Sequence, residues 1–394
     1  MFNKINFKKN VFGRIIFRKL QMKFFYIGKD PIIGADVLNN LLREEEKFLK
    51  NLKIIDCTFY ENKNFPVENH IPNYNQERIP NSIKIDLEEI SDLKKSEYNK
   101  YMIPDEEKFS LLMNKHNIKK SDHIICYDRH GVYSSARLWY ILKLFGLKNV
   151  YVLNGGYPNW LRGKFPIEKK KNSLKKIFEE KKISFKRDET KLIQTEEMLF
   201  SAYNFLKGMS NEVIIDARSP VRTRGEESEP YELRRQASIR YSANIFYKNL
   251  FDKNFCLQEE FFLKKFFEKE NIELGKDLIV YSGVGISACV VILALDQIGK
   301  RTNVKLYEGG WAEMGNVEVT GNPIISKFVE YEKLTPKEQT DSILSKMDKE
   351  ALEKMEKANK HQYRLIDVKE KNKEYLKKKM KAKENDYDSP EEIF

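Results

Sequence analysis

Short runs of consecutive apolar residues alternate with amphipathic stretches along most of the chain. Two of these runs lead into a turn of small residues and then a helix-like stretch: IICYDRHGVYSSARLWYILKLFGLKNVYVLNGGYPNW (124–160) and LIVYSGVGISACVVILALDQIGKRTNVKLYEGGWAEM (278–314). A strand buried on both faces reads as a continuous apolar run, whereas a helix has a period of 3.6 residues. Each segment therefore predicts a strand, a tight loop, a helix, a second strand and a Gly-Gly turn.

The two segments align without a gap at an offset of 154 residues, with Tyr127 on Tyr281 and Gly131 on Gly285. A strand–helix–strand unit of this kind has a right-handed crossover and builds a parallel sheet. A matching pair of apolar runs lies upstream, LKIID at 52–56 and VIID at 213–216. We therefore predict an α/β chain with two tandem domains of one plan, each a mostly parallel sheet flanked by helices.

Composition and charge divide the chain into five parts. The two domains are predicted at 31–165 and 190–324, joined by a Lys-rich linker at 166–189 and preceded by a basic segment at 1–30. A charged tail follows at 325–394, where Thr335-Pro336-Lys337-Glu338 has the pattern of a helix capping box. The tail helix either docks on a partner or is partly solvated.

The net charge of +12 favours an acidic partner, such as an anionic membrane surface, a nucleic acid or an acidic protein, unless it belongs only to a solvated Lys-rich surface. No run of 18 apolar residues occurs, so no membrane-spanning helix is expected. Residues 1–30 mix Lys and Arg with Phe and Ile, which is typical of a mitochondrial targeting segment. The alternative is a basic arm that lies on a membrane or a partner.

Cysteine and histidine spacing argues against metal binding and disulfides. None of the four cysteines forms a CxxC pair, and no HxxxH or HxH spacing occurs among the five histidines. We expect the cysteines to be small buried hydrophobic residues in a reducing compartment, with no metal and no cofactor.

The loop SGVGIS at 282–287 is the strongest candidate for chemistry. A small-residue loop at a helix start points several backbone N–H groups at one place, where an anion or a thiolate is stabilised. The loop Ser282, Gly283, Val284, Gly285, Ile286 and Ser287 could thus bind an anion. A serine hydroxyl attacks a substrate only with an adjacent base, and no histidine is near Ser282 in sequence.

Over about 31–324 the chain resembles the tandem-rhodanese sulfurtransferases, that is, the thiosulfate and 3-mercaptopyruvate sulfurtransferases. The resemblance rests on motifs in order and spacing: DCTFY (56–60), SSARLWY (134–140), FGLKNVYVLNGGYPNW (145–160), DARSPVRTRG (216–225) and YEGGWAE (307–313). It implies two rhodanese domains, of which the second carries a cysteine that becomes a persulfide. The first domain of the family usually has Asp at the matching loop position, as Asp128 is here.

The family's catalytic positions have changed in this chain. Ser282 stands at the cysteine position, and Val284 stands at the third loop position, which is a hydroxyl residue in the mercaptopyruvate enzymes. The remaining positions that the resemblance assigns are Tyr101 for the histidine, Glu88 for its acid, Arg222 for one substrate-carboxylate arginine and Tyr231 for the other. Because a serine cannot carry a sulfane sulfur, the site is expected to be degenerate. Cys289, seven residues further on, is the candidate substitute nucleophile, although its position is one of helix packing.

Other residues in the matched motifs are expected to be structural, with buried Asp–Arg pairs and packed tryptophans. They are Asp56, Arg137, Trp139, Trp160, Asp216, Arg218 and Trp311.

Three functions fit these patterns. The first is a catalytically inactive accessory or scaffold subunit of a large mitochondrial assembly, whose partners are protein subunits. A respiratory-chain or other inner-membrane complex is favoured over a ribosome, because no RNA-reading motif occurs. The second is an active sulfurtransferase with a non-standard nucleophile. The third is phosphoester or acyl chemistry in the same loop.

Overall fold

A computed structural model describes residues 30–43, 51–60, 73–169, 183–206, 209–231, 233, 235–300, 303–316 and 324–326. The predicted basic segment, apart from Asp30, and the predicted capping box and tail helix lie outside these residues. So does the middle of the Lys-rich linker, from 170 to 182.

The first sheet has five parallel strands in the order β1-β5-β4-β2-β3. Its strands are β1 (Ile32–Ile33), β2 (Leu52–Asp56), β3 (Ser82–Lys84), β4 (His123–Tyr127) and β5 (Val150–Leu153). The helices of this half are α1 (Ala35–Leu42), α2 (Leu87–Ile90), α3 (Glu106–Lys115), α4 (Ser134–Leu144) and α5 (Gly156–Arg162).

The second sheet repeats this order as β6-β11-β10-β7-β9, again with parallel pairs. Its strands are β6 (Leu192–Ile193), β7 (Val213–Asp216), β9 (Ala243–Asn244), β10 (Leu278–Tyr281) and β11 (Val304–Tyr307), while β8 (Ala237–Ile239) pairs antiparallel with β12 (Ile324–Ser326). The helices are α6 (Thr195–Leu206), α7 (Pro220–Thr223), α8 (Glu260–Lys269), α9 (Ile286–Gln297) and α10 (Gly310–Met314). Short 3₁₀ helices occupy Glu189–Lys191 and Tyr247–Leu250.

These two sheets confirm the α/β prediction and the repeat. The segments that align in sequence form β4-α4-β5 and β10-α9-β11, and the strands of each unit are parallel neighbours. The upstream apolar runs form β2 and β7, which end at Asp56 and Asp216 as the sequence indicates.

The two halves share one hydrophobic core. One cluster of buried side chains includes Leu138 and Ile141 of α4 together with Val290 and Leu293 of α9. Helix α9 is apolar around its whole circumference, and ten consecutive residues from Ile286 to Leu295 are buried. A helix that is apolar on every side must be covered on every side. The packing of α9 against α4 thus holds the loops before both helices in a fixed relation.

Within the described residues, none of the helices combines the length and the hydropathy that crossing a bilayer requires.

Candidate functional site

The loop that precedes α9 lies at the carboxyl end of β10, between the two halves of the molecule. Gly285 is the residue before the helix and has a φ of +80°, which a side chain would strain. A Cβ at Gly285 would also lie 3.2 Å from Nη1 of Arg137 and from the carbonyl oxygen of Glu308. A glycine is therefore needed for both the backbone conformation and the close packing of the loop.

Ser282 is buried within this loop, with 1% of its surface exposed. Its Oγ accepts a hydrogen bond from the backbone N–H of Gly285 at 3.1 Å. The carbonyl oxygen of Ser282 accepts the N–H of Trp311 at 2.7 Å, so the Gly-Gly turn closes on the loop from the other side. The hydroxyl is thus a structural acceptor that bulk water does not reach.

The matching loop of the first domain directs several hydrogen-bond donors at one acidic side chain. The carboxylate of Asp128 accepts the backbone N–H groups of His130, Tyr133 and Ser135, each at 2.8 Å, and the hydroxyl of Ser135 at 2.6 Å. Both oxygens of the Asp128 side chain are therefore hydrogen-bonded within the loop. The first-domain loop thus surrounds an acidic side chain of the chain itself, whereas the second-domain loop surrounds a hydroxyl.

Tyr231 covers the second-domain loop. A Cβ built on Gly283 would lie 2.6 Å from the Tyr231 hydroxyl oxygen, so the ring stands directly against the loop backbone. This is the position to which the resemblance assigns a substrate-binding arginine. A neutral phenol lacks the bidentate cation that holds a carboxylate.

Arg222, the arginine that is kept, lies beside an acid of the chain itself. Its Nη1 is 3.8 Å from Oε2 of Glu229, whose side chain is 2% exposed. The other oxygen of Glu229 accepts Nη1 of Arg218 at 2.7 Å. The buried carboxylate of Glu229 therefore offsets the positive charge that a substrate carboxylate would need.

Tyr101 reaches the loop indirectly. Its carbonyl oxygen accepts Nη2 of Arg137 at 2.7 Å, and Nη1 of Arg137 donates to the carbonyl of Gly285 at 3.3 Å. The Tyr101 ring packs edge-on against Phe59, with centroids 4.8 Å apart. Tyr101 is thus part of the packing around the loop and offers no imidazole for proton transfer.

Glu88, the predicted partner of the Tyr101 position, lies elsewhere. It is exposed and lines an open cleft of about 440 Å³ in the first domain, together with Asp56 and Arg129. It forms no hydrogen bond or ion pair with another described residue. The site that the resemblance assigns is therefore only partly assembled: Tyr101 and Tyr231 border the loop, and Glu88 does not.

Cys289 is fully buried one turn into α9. Its thiol donates to the carbonyl of Gly285 at 3.3 Å, and Nη1 of Arg137 lies 3.7 Å from its sulfur. Burial raises the pKa of the Cys289 thiol above its usual range, against a smaller lowering by Arg137. Since the thiolate is the nucleophilic form, a buried thiol with a raised pKa is poorly suited to attack a sulfur donor.

Two buried Asp–Arg pairs are present. Arg218 binds Asp216 within its own motif, with Nη2 and Oδ2 2.6 Å apart. Asp56 pairs with Arg129, at 3.1 Å, and not with Arg137, which instead supports the second-domain loop. The three tryptophans are 2% exposed or less, as expected for packing residues.

Sequence reasoning missed a polar contact between the domains that borders the loop. Nδ2 of Asn99 donates to the carbonyl of Glu308 at 2.8 Å and lies 3.5 Å from that of Val284. The buried carboxylate of Glu308 binds Nζ of Lys95 at 2.5 Å and the N–H of Ile103 at 2.9 Å. The available signal was the polar residue that follows each repeat's second strand, Asn154 in the first copy and Glu308 in the second.

Among the described residues, no group of three or more His, Cys, Asp or Glu side chains is arranged to hold a metal ion.

Comparison with known proteins identifies the family. The Rhodanese-like domain model matches residues 35–162. The chain is 31% identical over 300 residues to the mitochondrial thiosulfate/3-mercaptopyruvate sulfurtransferase 1 of Arabidopsis thaliana, covering 72% of this chain and 76% of that protein. The crystal structure of the 3-mercaptopyruvate sulfurtransferase SseA from Escherichia coli superposes with a TM-score of 0.59 at 26% identity, over 72% of this chain and 99% of that one.

A further solved structure shares the fold at lower identity. The sub-stoichiometric sulfur transferase subunit of yeast mitochondrial complex I superposes with a TM-score of 0.59 at 23% identity, over 73% of this chain and 99% of that one. With its two rhodanese-type sheets and these relatives, the chain belongs to the thiosulfate/3-mercaptopyruvate sulfurtransferase family of rhodanese-like proteins.

Proposed function

We propose that this protein is a catalytically inactive member of the sulfurtransferase family that serves as an accessory or scaffold subunit of a large mitochondrial assembly. The observation that carries the proposal is the buried Ser282 hydroxyl at the position of the family's persulfide-forming cysteine. An alkoxide or hydroxyl does not carry a transferable sulfane sulfur, so the family reaction has no place to store its intermediate.

The surroundings of Ser282 support the loss of catalysis independently. Tyr231 covers the loop, and Glu229 offsets the charge of Arg222. Binding and catalysis would both need to be rebuilt, which a single exchange at Ser282 does not achieve.

One likeness supports a mitochondrial location, and a second supports a role in an assembly. The Arabidopsis relative is a mitochondrial protein, and a chain of the same fold is a subunit of yeast mitochondrial complex I. The segment 1–30, read from its composition as a targeting segment or a membrane-binding arm, fits the same location. We therefore propose a mitochondrial location and favour a respiratory-chain or other inner-membrane complex over the ribosome.

The test of the assembly is the native size of the endogenous protein in a mild detergent extract of mitochondria. Co-migration with a complex much larger than the 46.7 kDa chain is expected, and cross-linking then identifies its neighbours. Migration of the whole pool as a free chain would contradict the subunit role.

The alternative is an active sulfurtransferase with Cys289 as nucleophile, and it has its own test. The purified protein is incubated with thiosulfate and analysed by peptide mass spectrometry, with Cys289→Ala as the matched control. A gain of one sulfur on the peptide that contains Cys289 would favour the alternative. An unmodified Cys289 is expected, because its thiol is buried.

A further inference from the structure

We draw no further inference here: the strongest candidate, the surface patch formed by the exposed Phe261 and Phe262 on α8, lies among both acidic and basic side chains of that helix, and nothing in the part of the chain that the structure describes shows what covers it.

Discussion

The backbone N–H of Ile103 donates to Oε2 of Glu308 at 2.9 Å, across 205 residues of sequence and from one domain to the other. The repeat contains the reciprocal contact, because the N–H of Leu257 donates to Oδ1 of Asn154 at 2.7 Å. Both partners are displaced by the same 154 residues that align the two copies. Each domain therefore donates one backbone hydrogen bond to the polar residue that follows a strand of the other domain.

Loss of the Glu308 carboxylate is expected to destabilise the fold. Glu308→Ala leaves the Ile103 N–H buried without an acceptor and Lys95 without its ion pair, so we expect a loss of about 2–3 kcal/mol in the free energy of unfolding. Urea denaturation measures it. Asn154→Ala at the reciprocal contact is the matched variant, with an expected loss of about 1–2 kcal/mol because no charge is involved. Equal stability of Glu308→Ala and the unmodified protein would show that the contact between Ile103 and Glu308 contributes nothing to the free energy of unfolding.

Restoring the nucleophile alone is not expected to restore activity. Ser282→Cys places a thiol in the loop, but Tyr231 still covers Gly283 and Glu229 still lies beside Arg222. The assay is transfer of sulfur from thiosulfate or 3-mercaptopyruvate to cyanide, with the unmodified protein as control. Turnover of Ser282→Cys clearly above that control would mean that the pocket is better preserved than its geometry indicates.

Cys256 is expected to react with iodoacetamide before the other three cysteines. Cys256 is half-buried, whereas Cys57, Cys126 and Cys289 are at most 1% exposed. Burial raises the pKa of the Cys256 thiol above its usual range, and the nearby Asp252 raises it further. Its alkylation rate in the folded protein is therefore expected to continue rising above pH 9, as the thiolate fraction grows. Peptide mass spectrometry over a pH series measures this. Earlier labelling of Cys289 in the folded protein would contradict the order.

His123 is expected to make the fold sensitive to mild acid. Partial burial at the start of β4 lowers its pKa from 6.5 to about 4 in the folded protein. The unfolded chain thus binds a proton more readily, and stability is lost as the pH falls from about 6.5 towards 4. The full shift corresponds to about 3 kcal/mol, which we reduce to about 1–2 kcal/mol because the side chain is partly exposed.

The control for this prediction is His123→Gln, which cannot take up a proton in this range. Thermal unfolding at pH 7 and pH 5 is expected to show a smaller difference for this variant than for the unmodified protein. An identical pH dependence of the two proteins would assign the acid sensitivity to other groups, such as His116, whose pKa burial also lowers.

Much of the architecture is predictable because local sequence patterns determine the strands and the repeat. Continuous apolar runs predict β2, β4, β7 and β10, and the 154-residue offset predicts that the second sheet repeats the first. The loop before α9 is predictable for the same reason, since small residues between an apolar strand and an apolar helix indicate a tight turn. The replacement of the family's cysteine by Ser282 is likewise visible in the sequence, through the resemblance.

The sequence by itself thus determined the two α/β domains, the place of the loop and the loss of its thiol. Only the tertiary structure decided which residues surround the loop: it set Glu229 beside Arg222, directed Arg137 to Gly285 while Arg129 paired with Asp56, and left Glu88 in a separate cleft. Hydrophobic periodicity predicts whether a residue is buried, but it does not predict which other residues its side chain contacts. The contact between Arg137 and Gly285 depends on how α4 packs on α9, and that packing is a property of the whole core.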